Sequence, residues 1–157
     1  MTRFTHYLPC LVGVVICLAI AGLSGWVTAA SVSTWYQQLH QPSFTPPDWL
    51  FGPVWTVLYI MIGMAGGLLW QQRQASPHAL TIYIVQLLLN FSWSFIFFGA
   101  QKIGWAAVDI VLLWLSIAIT LWLARRASKT ACWLLVPYFL WVSFAMILNI
   151  TLWMLNS

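Results

Sequence analysis

Amide, hydroxyl and aromatic side chains recur at helical spacing inside otherwise apolar stretches of the sequence. Residues three or four positions apart share one face of a helix. The stripes formed in this way are Gln86, Asn90, Trp93 and Phe97; Trp105, Asp109, Leu112 and Ser116; Tyr138, Trp141, Ala145, Leu148 and Asn149; and Trp55 with Tyr59. Together they predict a cavity with apolar walls and a few orienting polar groups, the usual make-up of a small-molecule site. Its indole rings would suit a flat aromatic ligand. Each amide taken alone is explained equally well by hydrogen bonds between neighbouring helices.

The sequence offers little for hydrolytic or metal chemistry. Its only acids are Asp48 and Asp109. The three histidines lie outside the apolar stretches, at His6, His40 and His78. No metalloprotease motif or phosphate-binding glycine loop occurs, so we expect no metal and no required cofactor. Asp109 would need a partner inside a helix: either Lys102, two turns away, or lipid headgroups at the interface.

The composition places the chain in a membrane. Of its 157 residues, 62% are hydrophobic and only 5% are charged, whereas a soluble domain carries about 25% charged residues. Apolar segments cover about residues 8–28, 53–70, 80–98, 103–123 and 132–155, each near the ~20 residues of a membrane-spanning helix. We predict an all-α integral membrane bundle of five transmembrane helices, forming one domain over residues 1–157. The first segment could pass for a signal peptide, but its apolar run favours a mature helix.

The few basic residues predict an orientation and argue against a nucleic-acid partner, because they lie at segment ends. With the amino terminus inside, the cytoplasmic side carries Arg3, Arg73, Arg125, Arg126 and Lys129. The opposite side carries only Lys102. By the positive-inside rule the amino terminus is cytoplasmic and the carboxyl terminus outside, in what we expect to be a bacterial cell membrane.

A proline-rich loop, predicted at about residues 31–52, separates the first two apolar segments. Pro46 and Pro47 stiffen it, while Phe44 and Trp49 give it apolar surface. It could lie at the bilayer interface as part of an aromatic belt, or cover the mouth of the bundle as a lid. We prefer the lid, because an interior lined with indoles and amides needs something to keep lipid out.

Glycines at helix-packing spacing occur in the second segment. Gly63 and Gly67 form a GxxxG pair, and Gly22 and Gly25 are similarly spaced in the first segment. Small residues let helices approach closely. The sequence leaves open whether this contact lies within the bundle or between two protomers.

Several motifs resemble the TspO/MBR family, which comprises bacterial tryptophan-rich sensory proteins and the translocator protein. These are WYQQLHQPSFTPPDW, PVWTVLY, QLLLNFSWSFIFFGAQKIGWAAVDIVLL and PYFLWVSFAMILN, in order from about Trp35 to Asn149. The resemblance implies a five-helix bundle, often a homodimer, that binds porphyrins and other flat hydrophobic molecules beneath its first loop. The implied ligand is protoporphyrin IX or heme. The implied pocket residues are Trp55, Asn90, Trp93, Trp105, Tyr138, Trp141, Ala145 and Leu148.

Three functions fit this resemblance. The first is a membrane sensor, regulator or carrier that binds tetrapyrroles. The second is light-dependent porphyrin degradation, in which Trp55 and Trp141 correspond to the tryptophans implicated in some bacterial members. The third is a partner protein with a vestigial pocket. The family's loop often has a tryptophan where this chain has Phe44, and the final stretch lacks the Tyr and Arg of the animal cholesterol motif, which favours a tetrapyrrole over a sterol.

Overall fold

A computed structural model describes residues 4–157, with side chains from Tyr7 onward. It contains five long α-helices and no strand within the described range: α1 Phe4–Val32, α2 Asp48–Gln71, α3 Pro77–Ser94, α4 Ile103–Ala127 and α5 Lys129–Leu155. All five are long and apolar enough to cross a membrane. The predicted all-α membrane bundle of five helices is therefore confirmed. Arg3, used in the orientation argument, lies outside the described residues.

The helices begin and end at residues that interrupt or satisfy backbone hydrogen bonds. Pro47 has extended dihedrals (φ −63°, ψ 143°) directly before α2, and Pro77 begins α3. Ser128 alone separates α4 from α5, and its hydroxyl accepts a hydrogen bond from the Ala131 amide at 3.3 Å. The helices predicted from hydropathy were too short at most ends. A helix can continue into polar residues as long as its backbone N–H and C=O groups can still form hydrogen bonds within the helix.

The loop prediction needs the same correction. Because α1 continues to Val32 and α2 begins at Asp48, the connection covers residues 33–47 and contains a short 3₁₀ turn, Tyr36–Gln38. Trp49 belongs to the first turn of α2 rather than to the loop.

Glycines bring α1 and α2 into close contact. A Cβ atom at Gly63 would lie 2.5 Å from the Cα atom of Val14, and one at Gly67 would overlap the backbone of Cys10. By contrast, a Cβ at Gly22 or Gly25 would meet nothing within 4 Å. The GxxxG pair therefore serves packing within the bundle, which resolves the alternative that the sequence left open.

The end of α3 changes from α-helical to π-helical over Phe95–Gly99. The Ala100 amide donates to the Phe95 carbonyl at 2.7 Å, and Gln101 then takes a left-handed conformation (φ 55°) before α4. Short π-helical segments of this kind are frequent at functional sites. Here the segment buries Phe97 and Phe98 and turns the chain back within a few residues.

Candidate functional site

A cavity of about 420 Å³ lies among all five helices, at the end of the bundle where α2 begins. Its volume falls within the ~300–1,000 Å³ range of small-molecule pockets. Tyr36 from the 33–47 connection and Phe51 from the first turns of α2 both contribute to its lining. The 33–47 connection therefore lies against the mouth of the cavity.

Three indole rings from three helices form much of the wall: Trp55 of α2, Trp93 of α3 and Trp141 of α5. Trp93 stacks on Phe97 with ring centroids 4.9 Å apart and an interplanar angle of 20°. Phe51 lies edge-on to Trp141 at 6.1 Å. Such contacts restrict the rings, so the cavity offers preformed flat apolar surfaces.

A chain of hydrogen bonds supports the wall from behind. The Tyr59 hydroxyl donates to Asn90 Oδ1, and Asn90 Nδ2 donates to the Tyr138 hydroxyl at 2.9 Å. Tyr138 in turn donates to Gln86 Oε1 at 2.9 Å. The chain joins α2, α3 and α5. Because buried polar groups are costly when unpaired, this network fixes the relative positions of the three helices.

A second pair of hydrogen bonds orients Trp93. Its Nε1 donates to Asn149 Oδ1 at 2.9 Å, and Asn149 Nδ2 donates to the Ile103 carbonyl at 3.1 Å. The amide thus links an indole of α3 to the first residue of α4. Asn90 and Asn149 both line the cavity, yet both are held by protein partners.

One buried polar atom of a lining residue, Nε1 of Trp141, has no hydrogen-bond partner in the described part of the chain. Leaving a buried donor unpaired costs roughly 1–3 kcal/mol. A ligand with a hydrogen-bond acceptor would remove this cost, so Trp141 Nε1 is a candidate for contact with a bound molecule.

The structure brings together most of the pocket residues named from the sequence. Those that line the cavity are Trp55, Asn90, Trp93, Trp141, Ala145 and Leu148. Tyr138 is fully buried just behind the wall, where its ring lies edge-on to Trp55 at 6.3 Å. It supports the site through Asn90 rather than facing the cavity.

Trp105 does not reach the cavity. It is 70% exposed and borders a separate surface depression with Lys102 and Trp153. The predicted stripe on α4 is split: Asp109 and Ser116 are buried, whereas Trp105 and Leu112 are exposed. At about 100° per residue the four positions spread over roughly 60°, and the boundary between interior and lipid runs through them.

Asp109 has a different partner from the predicted one. Its Oδ1 lies 2.9 Å from the Ser92 hydroxyl of α3. The side chain is buried, and Oδ2 has no hydrogen-bond partner among the described residues. The acid therefore belongs to the α3–α4 contact rather than to a pair with Lys102, and it does not line the cavity.

The sequence reasoning missed the contribution of α1. One face of this helix lines the cavity with small residues at intervals of three or four: Ala21, Ser24, Gly25, Thr28, Ala29 and Val32. The signal was present as a run of small side chains at helical spacing. From the sequence, the glycines of α1 indicated only helix packing.

The 33–47 connection is attached to the bundle at several points. Tyr36 is buried against Phe97 and Phe98, and the backbone of His40 exchanges two hydrogen bonds with the side chain of Asn156, the residue directly after α5. Phe44 lies edge-on to Phe144 at 6.4 Å. Trp49, which we expected to pack on the bundle, is 71% exposed; on α2 it points away from the interior.

Comparison with known proteins gives a consistent result. Residues 13–154 match the TspO/MBR family. The tryptophan-rich protein TspO of Chlorobaculum tepidum is 44% identical over 145 residues, covering 90% of this chain and 91% of that protein. The human translocator protein is 39% identical over 123 residues, covering 76% and 73% respectively. The tryptophan-rich sensory protein of Cereibacter sphaeroides is 34% identical over 122 residues, covering 78% and 77%.

Proposed function

Because this chain belongs to the TspO/MBR family of membrane proteins, as its motifs indicated, we propose that it binds porphyrins in the cavity beneath residues 33–47. Its relatives are named as sensory and translocator proteins, which supports a sensor or transporter role in a membrane. The bound molecule would be a flat tetrapyrrole such as protoporphyrin IX or heme, and its occupancy would be what the protein senses or carries.

The observation that carries this proposal is the combination of three cavity indoles with the unpaired Trp141 Nε1. Indole faces stack on aromatic macrocycles, while the buried indole N–H can meet an acceptor atom on the ligand. The rest of the lining is largely apolar, so a small polar metabolite would lose its hydration there without compensation.

Titration of the detergent-solubilised protein with protoporphyrin IX tests the proposal. Absorbance of the porphyrin is the readout, since substituted tryptophans would alter fluorescence directly. The double variant Trp55→Phe/Trp141→Phe keeps aromatic surface but loses two indole N–H groups, of which that of Trp141 is the buried unpaired one, so we expect affinity to fall by about two- to tenfold, the effect of one hydrogen bond. Trp26→Phe/Trp133→Phe is the matched control, because both of these rings are exposed on the outside of the bundle. Parent-like affinity in the cavity variant would reject the site.

Light-dependent porphyrin degradation is the second candidate. It is favoured by the position of Trp55 and Trp141 on the cavity wall, where either ring could act as an electron donor to a bound, excited porphyrin. Only this function predicts loss of porphyrin absorbance under illumination, with the dark sample unchanged. A partner protein with an unused pocket predicts neither binding nor loss of absorbance.

A further inference from the structure

The charge of the cavity lining bears on the class of ligand that the cavity can hold. Asp48 is the only charged residue among the described residues that line it. It lies in the first turn of α2, at the mouth, and its Oδ2 accepts a hydrogen bond of 2.6 Å from Gln37 Nε2. This contact holds the carboxylate beside the opening.

The other polar groups of the lining are neutral. Ser24, Trp141 and Asn90 carry no charge, and Tyr36 stays a neutral phenol because burial, and then the nearby Asp48, raise its pKa to about 12. Lys102, at the same end of the bundle, borders the separate depression with Trp105. Among the residues that the structure describes, the cavity lining therefore contains no group that could neutralise an anionic ligand.

Natural porphyrins such as protoporphyrin IX carry two propionates on one edge of the ring. Moving a carboxylate away from water without a cationic partner is costly, so that edge must face the open mouth. There it meets the Asp48 carboxylate, and like charges placed together disfavour a complex.

We propose that Asp48 is a specificity-determining residue, which weakens the binding of porphyrins with free carboxylates at the mouth relative to otherwise identical neutral porphyrins, without preventing it. This rests on the proposed function, because it concerns the ligand class of the same cavity. Asp48 also suits the positive end of the α2 dipole. Any loss of this stabilisation of α2 affects the binding of every ligand equally. It can therefore be separated from selection among ligands by their charge.

The test compares protoporphyrin IX with its neutral dimethyl ester on the parent and on Asp48→Asn. The measured quantity is the ratio of the two dissociation constants for each protein. Unequal partitioning of the two porphyrins into detergent is the same for both proteins, and it cancels when the ratios are compared. Asn retains an oxygen for the Gln37 contact and removes only the charge.

We expect Asp48→Asn to strengthen binding of the diacid by about three- to tenfold, because the repulsion between two carboxylates is weak where water surrounds them. Binding of the ester should stay unchanged. The effect should shrink at high ionic strength, since salt screens exposed charges. Asp48→Glu, which keeps the charge, should behave like the parent. Lys102→Gln is the control for the electrostatic field of the other surface charges at this end of the bundle. It should leave the ratio of the two dissociation constants unchanged.

The possible outcomes are distinct. A ratio that is equal in the parent and in Asp48→Asn overturns the selection by Asp48 while leaving porphyrin binding intact. A shift of similar size but opposite sign produced by Lys102→Gln, which removes a positive charge, overturns it as well, because the effect would then belong to the net charge of the whole surface. Absence of binding by either porphyrin to the parent rejects both the proposed function and this inference.

Discussion

A single hydroxyl group, that of Tyr138, joins two side chains of α3 to α5. It accepts from Asn90 and donates to Gln86, and all three side chains are buried. Asn90 in turn accepts from Tyr59 of α2. The polar residues of the predicted α3 stripe thus serve two purposes: Asn90 lines the cavity, and with Gln86 it fixes the helices that carry Trp55 and Trp141.

At this scale we predict that Tyr138→Phe destabilises the protein by about 1–3 kcal/mol, because it leaves Asn90 Nδ2 and Gln86 Oε1 without their buried partner. Thermal unfolding of the detergent-solubilised protein, followed by near-ultraviolet circular dichroism, measures the change. Thr151→Val is the matched control on α5, since it also removes a hydroxyl, but one that is exposed and bonded only within its own helix. Equal melting temperatures for the parent and Tyr138→Phe would contradict the structural role of the network.

Among the elements, α1 and α2 make the most extensive contact in the described part of the chain, and both contribute to the cavity lining. α1 supplies small residues to the lining, while α2 supplies Phe51 and Trp55. The contact at Gly63 and Gly67 lies further along the same pair, away from the mouth. Close packing at one end of the pair thus accompanies a cavity at the other.

This arrangement gives a paired prediction for glycine substitutions. Gly63→Ala should destabilise the bundle by roughly 1–3 kcal/mol, as overpacking does, because the new methyl group meets the backbone of Val14. Gly22→Ala should be neutral or stabilising by up to about 1 kcal/mol, since alanine has the higher helix propensity and the position is open. The two melting temperatures are the measurement, and the same response at both positions would refute the packing account.

The 33–47 connection leads to a prediction about ligand release. Pro46 and Pro47 limit its conformational freedom, and Tyr36 and His40 attach it to the bundle. Pro46→Gly/Pro47→Gly should keep the helices intact but speed porphyrin dissociation, because more entropy is lost each time the cover closes. Stopped-flow dissociation in one detergent measures it.

The control for that experiment is Gln74→Gly/Ala75→Gly, in the α2–α3 connection at the opposite end of the bundle. If the connection over the cavity is only an interfacial belt, the proline variant will release porphyrin at the parental rate. In that case the lid hypothesis is rejected, although the cavity itself stands.

As a whole molecule, the chain is a bundle whose outer surface is apolar. Large side chains such as Trp26 and Trp133 are exposed along the helices, which suits contact with lipid. The charged side chains lie mostly near the two ends of the bundle. A homodimer is our proposal from the family resemblance.

Orientation belongs to this scale too. We propose that the amino terminus is cytoplasmic, because Arg73, Arg125, Arg126 and Lys129 lie at the end of the bundle opposite Lys102. By the positive-inside rule, a reporter fused after Ser157 should then be active on the outer side of the membrane. Activity of that fusion in the cytoplasm would reverse the orientation without changing the five spans.

The sequence by itself determined the five helices, because uninterrupted apolar segments of membrane-spanning length leave few other structures. It also placed residues on a common face within each helix, so Trp55, Asn90, Trp93 and Trp141 were found in advance. What only the tertiary structure decided was how far each helix is rotated about its own axis. In a membrane the lipid-facing and interior-facing surfaces are both apolar, so hydrophobic periodicity does not fix that rotation. For this reason Trp105 was misplaced, the contribution of α1 was missed, and the partner of the GxxxG pair could not be read from the residues alone. Trp49 was misplaced for another reason: α2 begins at Asp48, earlier than its apolar segment indicates.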